Sequence, residues 1–274
     1  MSANKSQLNL RNYIKESSEK TKSNMKEKTF INGITVYIKD ELPKEIDLDA
    51  ALYKLKKRIP SHLFSGLDVI YVGQFDKLKK KAFNAAFMDG AMYISNVQTS
   101  TDDMLDDFIH ELAHSIEEIT NFDIYSDNSI NNEFLAKRKK LKEILAMNGY
   151  DVTKQNFENI EYNEKFDMYL YEEIGYPILT TLTAGLFCSP YGATSVREYF
   201  ANAFEHYFMK EVVLVKKISP KAYKAIIQLA RPEYFEELSV DSEDQWWYSI
   251  YLTGRSYEFS YLILRTQGLG WMFF

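Results

Sequence analysis

The chain is organised around one stretch of eight residues, which carries two histidines four positions apart. It reads Phe108-Ile109-His110-Glu111-Leu112-Ala113-His114-Ser115. On an α-helix this spacing brings both histidines to the same side, about one turn apart. Their imidazoles can then bind one Zn²⁺, and the glutamate behind the first histidine can deprotonate a water on the metal. We therefore predict a zinc site with His110 and His114 as ligands and Glu111 as general base.

The residues around this stretch predict an amphipathic helix. Ser100-Thr101-Asp102-Asp103 forms an N-terminal capping box whose acids favour the positive end of the helix dipole. Apolar residues at three- and four-residue steps predict one buried stripe: Leu105, Phe108, Ile109, Leu112, Ile116 and Ile119. The polar side is expected to carry Asp103, Asp107, His110, His114 and Glu117. A chance motif is the alternative, and with so few histidines it would arise in about one such chain in a hundred or fewer.

Composition limits the classes of protein that the chain can belong to. Its 274 residues can bury one sizeable core, and a hydrophobic content of 46% indicates a folded chain. The net charge of −6 argues against a nucleic-acid partner, since such proteins are usually basic. The single cysteine, Cys188, excludes an internal disulfide and a cysteine-based zinc site. We expect Cys188 to be buried and to take no part in thiolate chemistry.

Neither a secretion signal nor a membrane span is visible in the sequence. We therefore expect a cytoplasmic protein, with a phage virion or export by a non-classical route as alternatives. Residues 1–28 are polar and basic and predict a solvated, flexible N-terminal arm, with docking to an acidic partner as the alternative. Residues 29–274 are predicted to form one domain. The oligomeric state is left open.

The first part of that domain, residues 29–120, predicts a small twisted mixed β-sheet and the active-site helix. Ile34–Ile38 and Asp68–Val72 read as strands, the second of them central in the sheet. A helix is expected to follow Pro43 and to stop before Pro60. Asp89-Gly90 predicts a hairpin between Ala82–Met88 and Ala91–Ser95. The second arm is expected at the edge of the cleft, where a peptide substrate could bind as an added strand near Ala91–Ser95.

Residues 121–274 predict a mainly helical lobe, so the fold class is α+β. Helices are expected over Glu133–Met147 and after Pro220. The basic run Lys137-Arg138-Lys139-Lys140 is interpreted as a solvated helix face rather than a binding patch.

A catalytic zinc needs a third protein ligand, which the helix of the motif does not supply. Glu117 and Glu118 lie about 10–12 Å along that helix from His110. The candidate is Glu198, which shares a predicted helix face with Asn202, a possible hydrogen-bonding partner of the site, and with Glu205. Ser195-x-x-Glu198 is also a capping box, and the spacing alone leaves both roles open. His206 is interpreted as a packed or surface residue.

The motif resembles a known family when it is taken with a downstream element. That element is Tyr191-Gly192-Ala193-Thr194-Ser195-Val196-Arg197-Glu198-Tyr199-Phe200-Ala201-Asn202-Ala203-Phe204. Together they resemble the zinc metallopeptidase domain of anthrax lethal factor and the clostridial Pro-Pro endopeptidases, over roughly residues 68–210. The resemblance implies a zincin-like fold, zinc ligands His110, His114 and Glu198, Glu111 as general base, and the Tyr191 phenol near the scissile carbonyl.

The sequence departs from this family at two points. Asn202 stands where the family often carries a second acid, and the longer spacing from His114 to Glu198 predicts an insertion within residues 119–190. The predicted function is zinc-dependent endopeptidase activity. The alternatives are a non-catalytic structural or binding protein that retains a zincin fold, for example a phage virion component, and a hydrolase of non-peptide amides.

Overall fold

Alternating and β-branched stretches form the sheet, as their sequence predicts. The computed structural model describes residues 26–81 and 83–232. Its strands are β1 (Lys26–Thr29), β2 (Thr35–Ile38), β3 (Val69–Gly73), β4 (Ala85–Met88) and β5 (Ala91–Ser95). Their order is β1-β2-β3-β5-β4, with β3 in the centre, β2 and β5 parallel to it, and both outer pairs antiparallel. The predicted mixed sheet and its central strand are confirmed.

The turn of the predicted hairpin is also confirmed, but the position of the hairpin's arms in the sheet is not the expected one. Asp89 and Gly90 both have positive φ, at 49° and 75°, as a tight two-residue hairpin turn requires. The second arm, Ala91–Ser95, pairs with β3 on one side and β4 on the other. It therefore has no free edge, and the prediction that a substrate strand adds near Ala91–Ser95 is wrong. Within the described residues, β4 is the outer strand on this side of the sheet.

The N-terminal arm ends earlier than predicted. Lys26–Lys28 belong to β1, which is an edge strand within the described residues and whose charged side chains are largely exposed. Charged residues are common on edge strands because they oppose pairing with other chains. Residues 1–25 lie outside the described part of the chain.

Helices account for all regular structure after Ser95 in the described residues. Before that point lie α1 (Leu48–Arg58) and α2 (Asp76–Lys81). The later helices are α3 (Thr101–Tyr125), α4 (Ser129–Met147), α5 (Glu164–Met168), α6 (Tyr176–Leu182), α7 (Val196–Phe208), α8 (Val212–Ile218) and α9 (Pro220–Leu229). Short 3₁₀ helices cover Ile31–Gly33, Ser61–Phe64 and Pro190–Ala193, and a π-helix covers Tyr169–Ile174. The fold is α+β and mostly helical, and no helix in the described residues is long and apolar enough to span a membrane.

Helix α3 is the predicted motif helix, and it packs against α1, α7, β4 and β5. The side chain of Ser100 caps it by accepting the Asp103 backbone N–H at 3.1 Å, as predicted. The predicted stripe is buried up to Ile116, but Ile119 is 48% exposed. The buried face continues instead through Thr120, four residues after Ile116, which is 1% exposed and whose non-helical φ and ψ (−122°, 18°) bend α3. The Thr120 hydroxyl donates to the Ile116 carbonyl at 2.7 Å.

The basic run on α4 is not a fully solvated face. Arg138 is 1% exposed and donates hydrogen bonds to the carbonyls of Ala193, Thr194 and Asn156 at 2.5, 3.2 and 3.1 Å. Its guanidinium lies 3.8 Å from the ring centre of Phe166, and burial lowers its pKa to about 9. Lys137 donates to two further backbone carbonyls, whereas Lys139 and Lys140 are exposed. The prediction failed for Arg138 because its partners are backbone carbonyls distant in sequence, which a charge pattern does not show.

We expect Arg138→Met to lower the free energy of unfolding by about 3 kcal/mol, because three carbonyls lose a charged donor. The matched control is Lys139→Met, which removes the same charge from an exposed position of the same helix and should change stability by about 0.5 kcal/mol or less. Urea unfolding of the purified variants measures both. Equal losses in the two variants would contradict the role given to Arg138.

Candidate metal centre

The two motif histidines lie side by side on α3, as the helix spacing predicts. Their ring centres are 5.1 Å apart, and their side chains are 13% and 12% exposed. The apolar stripe of α3 fixes the rotation of the helix, because it is buried against the sheet and α1. His110 and His114 therefore point towards α7.

Helix α7 brings Glu198 to both histidines. One carboxylate oxygen lies 3.0 Å from His110 Nε2, and the other lies 3.5 Å from His114 Nε2. The backbone N–H of Glu198 donates to Ser195 Oγ at 3.2 Å, so the capping box also forms. The two roles that the sequence left open are compatible, because the cap uses the backbone of Glu198 and leaves its carboxylate free. In the described part of the chain, His110, His114 and Glu198 form the one group able to hold a metal ion, with donor atoms within 4.8 Å of one another.

Each histidine has a carboxylate on its other ring nitrogen. His110 Nδ1 lies 3.1 Å from Glu205, and His114 Nδ1 lies 2.8 Å from Glu117. An imidazole that donates from Nδ1 to a carboxylate is fixed in orientation and is a more basic metal ligand at Nε2. Both Nε2 atoms therefore face Glu198 in the arrangement that a shared metal ion requires.

The electrostatics of this group favour positive charge. Burial lowers the pKa of His114, but hydrogen bonds with Glu117 and Glu198 outweigh it and raise the pKa to about 9. The pKa of His110 is raised well above its usual value against the same burial effect, through Glu198 and Glu205. Burial raises the pKa of Glu198, but its hydrogen bonds with both histidines produce a net lowering. Two imidazoles among three carboxylates form a site suited to a cation.

Glu205, rather than Asn202, is the α7 side chain that supports His110. Asn202 is 3% exposed, packs against Gly192, and accepts a hydrogen bond from Ser189 Oγ. It therefore supports the Pro190–Ala193 turn, whereas the hydrogen bonds of His110 and His114 are made with Glu198, Glu205 and Glu117. Glu205 shares the Glu198 face in the sequence pattern, but the pattern does not show which of the two residues on that face reaches the imidazole.

Glu117 was predicted on the polar side of the helix, but its side chain is 0% exposed. It accepts hydrogen bonds from His114 and from the phenol of Tyr125, and the Nε atom of Arg197 lies 3.4 Å away. Glu117 lies too far along the helix from His110 to share an ion with it. It is only three residues from His114, however, and hydrogen-bonds to that imidazole. Tyr125 lies beyond the bend at Thr120, so this hydrogen bond spans the bend.

Glu111 lies beside the histidines and is 7% exposed. Burial raises the pKa of its carboxyl, and the charge of Glu198 adds to this effect. The two histidines and a hydrogen bond from the Phe87 backbone act in the opposite direction without cancelling it. Phe87 belongs to β4, so Glu111 lies between the candidate metal ligands and this strand. A carboxylate whose pKa is raised by burial is a stronger proton acceptor than an exposed one, which suits reversible proton transfer.

Tyr191 also lies near His110, in the 3₁₀ turn Pro190–Ala193. Its ring centre is 6.2 Å from that of His110. Burial, followed by the charges of Glu198 and Asp167, raises the pKa of the phenol. Tyr191 therefore stays protonated at neutral pH and can donate a hydrogen bond.

The other candidate side chains lie apart from this group. His206 is paired through Nδ1 with Glu211 at 2.6 Å, and His62 donates from Nε2 to the Leu229 carbonyl at 2.9 Å. Cys188 is a half-buried free thiol, and burial raises its pKa to about 11. A thiol with this pKa is almost wholly protonated at neutral pH, in line with the expected lack of thiolate chemistry.

No protein-family model, curated protein or solved structure matches this chain. The function is therefore inferred from the geometry of the site and from the resemblance of its two motifs.

Asp107 is a further acid near the centre whose protonation depends on its surroundings. Burial, followed in the same direction by the charges of Glu111 and Glu205, raises its pKa to about 7. A hydrogen bond from the Gln98 amide at 2.7 Å and the charge of His110 oppose the shift. A carboxyl whose pKa is raised in the folded state keeps its proton above pH 4, whereas the unfolded chain loses it.

Metal-free protein should therefore lose stability through Asp107 as the pH rises from about 4 to about 7, by at most about 4 kcal/mol. Asp107→Asn cannot ionise, so its stability relative to the wild type should be higher at pH 8 than at pH 4.5. Urea unfolding in EDTA measures this difference. Asp123→Asn, at an exposed position of α3, is the control. A pH-independent difference for Asp107→Asn would contradict the assignment.

Glu117→Gln and Glu205→Gln should each weaken zinc binding by about 10- to 100-fold, because each removes the charge that holds one imidazole. Competition with a chromogenic chelator gives the affinity, and Glu118→Gln, at an exposed position of α3, is the control. Thermal unfolding of each metal-free variant checks its folding. Wild-type affinity in both variants would show that these carboxylates do not act on the ligands.

Proposed function

We propose that this protein is a zinc-dependent endopeptidase with a zincin-like active site. The observation that carries the proposal is the convergence of His110, His114 and Glu198 beside a buried glutamate, Glu111. Two imidazoles and one carboxylate are a ligand set found in catalytic zinc sites, where the fourth position is left to water or substrate.

The donor atoms fit a zinc ion in chemistry as well as in spacing. Both Nδ1 atoms are held by carboxylates, which leaves the Nε2 atoms and the Glu198 oxygens as the converging donors. A zinc ion bound there would polarise the peptide carbonyl and lower the pKa of the attacking water.

The protein's own side chains supply the proton transfers. Glu111 accepts the proton of the attacking water and delivers it to the amine that leaves, a role that suits its raised pKa. Tyr191 donates a hydrogen bond to the oxygen on which negative charge develops. The protonated phenol beside His110 supports this role.

The outer strand β4 is the element proposed to bind the substrate. It packs against α3, and its Phe87 backbone contacts Glu111. An extended peptide paired with the outer side of Ala85–Met88 would run past the metal ligands, with its backbone hydrogen bonds provided by the sheet. The substrate would thus still bind as an added strand, as expected from the sequence, but it would pair with β4 and not with Ala91–Ser95.

The main alternative is a structural or binding protein that keeps the metal site without turnover. Burial of an ionisable carboxylate costs stability unless it is compensated, and a purely structural site has no need of Glu111 at this position. This supports the catalytic proposal.

The test combines zinc analysis with digestion of a peptide library. Wild type should bind one zinc per chain and cleave peptides in an EDTA-sensitive manner. Glu198→Ala should lose both zinc and activity, whereas Glu111→Gln should keep the zinc and lose activity by a factor of about a thousand or more. Tyr191→Phe should keep the zinc and lower kcat by about 100-fold.

Glu118→Gln, at an exposed position of the same helix, is the control and should match the wild type in both measurements. Wild-type protein without zinc would refute the proposal. Zinc that is retained without cleavage of any peptide or protein substrate would favour the structural alternative.

A further inference from the structure

A second acidic group lies in the segment between α4 and α7, within the predicted insertion. Asp167, on α5, is 8% exposed and accepts hydrogen bonds from two phenols. Tyr162 donates to Oδ2 at 2.8 Å, and Tyr176 donates to Oδ1 at 3.1 Å. Within the described residues, no lysine, arginine or histidine forms an ion pair with this carboxylate. Its charge is therefore solvated by phenols but is not neutralised.

This group lies on the Tyr191 side of the metal centre. The backbone N–H of Val196, at the start of α7, donates to the Ile160 carbonyl at 2.8 Å, which fixes the segment beside the helix that carries Glu198. Helix α6, which begins with Tyr176, contacts the turn that carries Tyr191. The charge of Asp167 also contributes to the raised pKa of Tyr191, as expected for neighbouring groups.

The two tyrosines connect the protein surface with the buried carboxylate of Asp167. Tyr162 is 42% exposed and Tyr176 is half-buried, so both rings can be reached from the surface. A phenol that donates its proton to a carboxylate becomes a stronger acceptor, because hydrogen bonds in a chain polarise one another. Phenol oxygens and ring faces in front of an uncompensated negative charge are suited to bind an ammonium or guanidinium group.

We infer that Asp167, Tyr162 and Tyr176 form a subsite that binds a cationic nitrogen of the substrate near the scissile bond. The inference rests on the proposed peptidase function and names the chemistry of its substrate. The cation is either the side chain of a lysine or arginine or the α-ammonium at the N-terminus of a peptide.

A binding experiment without turnover tests the subsite. Zinc-loaded Glu111→Gln protein is immobilised and offered peptide libraries that carry either lysine or norleucine at one position, each with a free or an acetylated N-terminus. Stronger retention of lysine peptides than of norleucine peptides identifies a side-chain cation. Stronger retention of peptides with a free N-terminus than of acetylated peptides identifies the α-ammonium. We expect about 10- to 100-fold preferential retention in one of these two comparisons.

The preference should disappear when Asp167→Asn is added, while retention of the neutral, acetylated peptides should stay the same. Glu172→Gln, an exposed acid in the same segment, is the control and should keep the preference. A purely structural role for Asp167 would instead reduce the retention of all peptides together. Where Asp167→Asn does not fold, Tyr162→Phe takes its place and should weaken the preference several-fold.

The subsite and the peptidase function can fail separately. Equal retention in both comparisons, or a preference that survives Asp167→Asn, overturns the subsite even where the wild-type enzyme cleaves peptides. A preference that depends on Asp167 supports the subsite even where the wild-type enzyme cleaves none, and the peptidase proposal alone then fails.

Discussion

The carboxylate of Glu198 lies between two imidazoles that belong to a different helix, and the arrangement of the site depends on this contact. Helix α3 provides both histidines because its apolar stripe fixes its rotation, and α7 provides the acid in its first turn. Two helices separated by about seventy residues are thus joined through charged groups that are largely removed from water. Buried charges are tolerated only when they are paired and hydrogen-bonded, so each member of the group needs the others.

The same requirement explains the acids that surround the histidines. Glu117 and Glu205 each hold one Nδ1 atom, so both sides of each ring are occupied by acceptors. The orientation of the two candidate ligands is thereby set without an ion, which would reduce the entropy lost if one binds. An ion of charge +2 would also compensate part of the repulsion among the carboxylates.

Local patterns predicted the parts of the fold that depend on local physics. The cap at Ser100, the periodicity of α3 and the Asp89-Gly90 turn are decided within a few residues, and the sequence shows them directly. The position of β5 in the sheet, the burial of Arg138 and the partner of His110 are decided by contacts across the chain. Arg138 is the clearest example. It is surrounded by backbone carbonyls and aromatic rings from other parts of the chain, and the residues next to it in sequence do not indicate this environment.

The candidate site was predictable to a similar degree. The histidine spacing predicted two candidate ligands on residues alone, whereas Glu198 needed the resemblance to a family to be favoured over a simple cap. The roles of Glu117 and Glu205 required coordinates, since a helix face carries several acids and only side-chain distances separate them.

The bend in α3 has a consequence for the candidate metal centre, because one hydrogen bond connects the two. Glu117 precedes Thr120 and Tyr125 follows it, and their hydrogen bond spans the bend. Beyond the bend, Phe122 is 69% exposed and faces solvent rather than the core. A change in the angle between the two segments of α3 would therefore strain the hydrogen bond to the carboxylate that pairs with His114. Through Glu117, the end of the helix is connected by hydrogen bonds to a candidate ligand that lies about three turns before it.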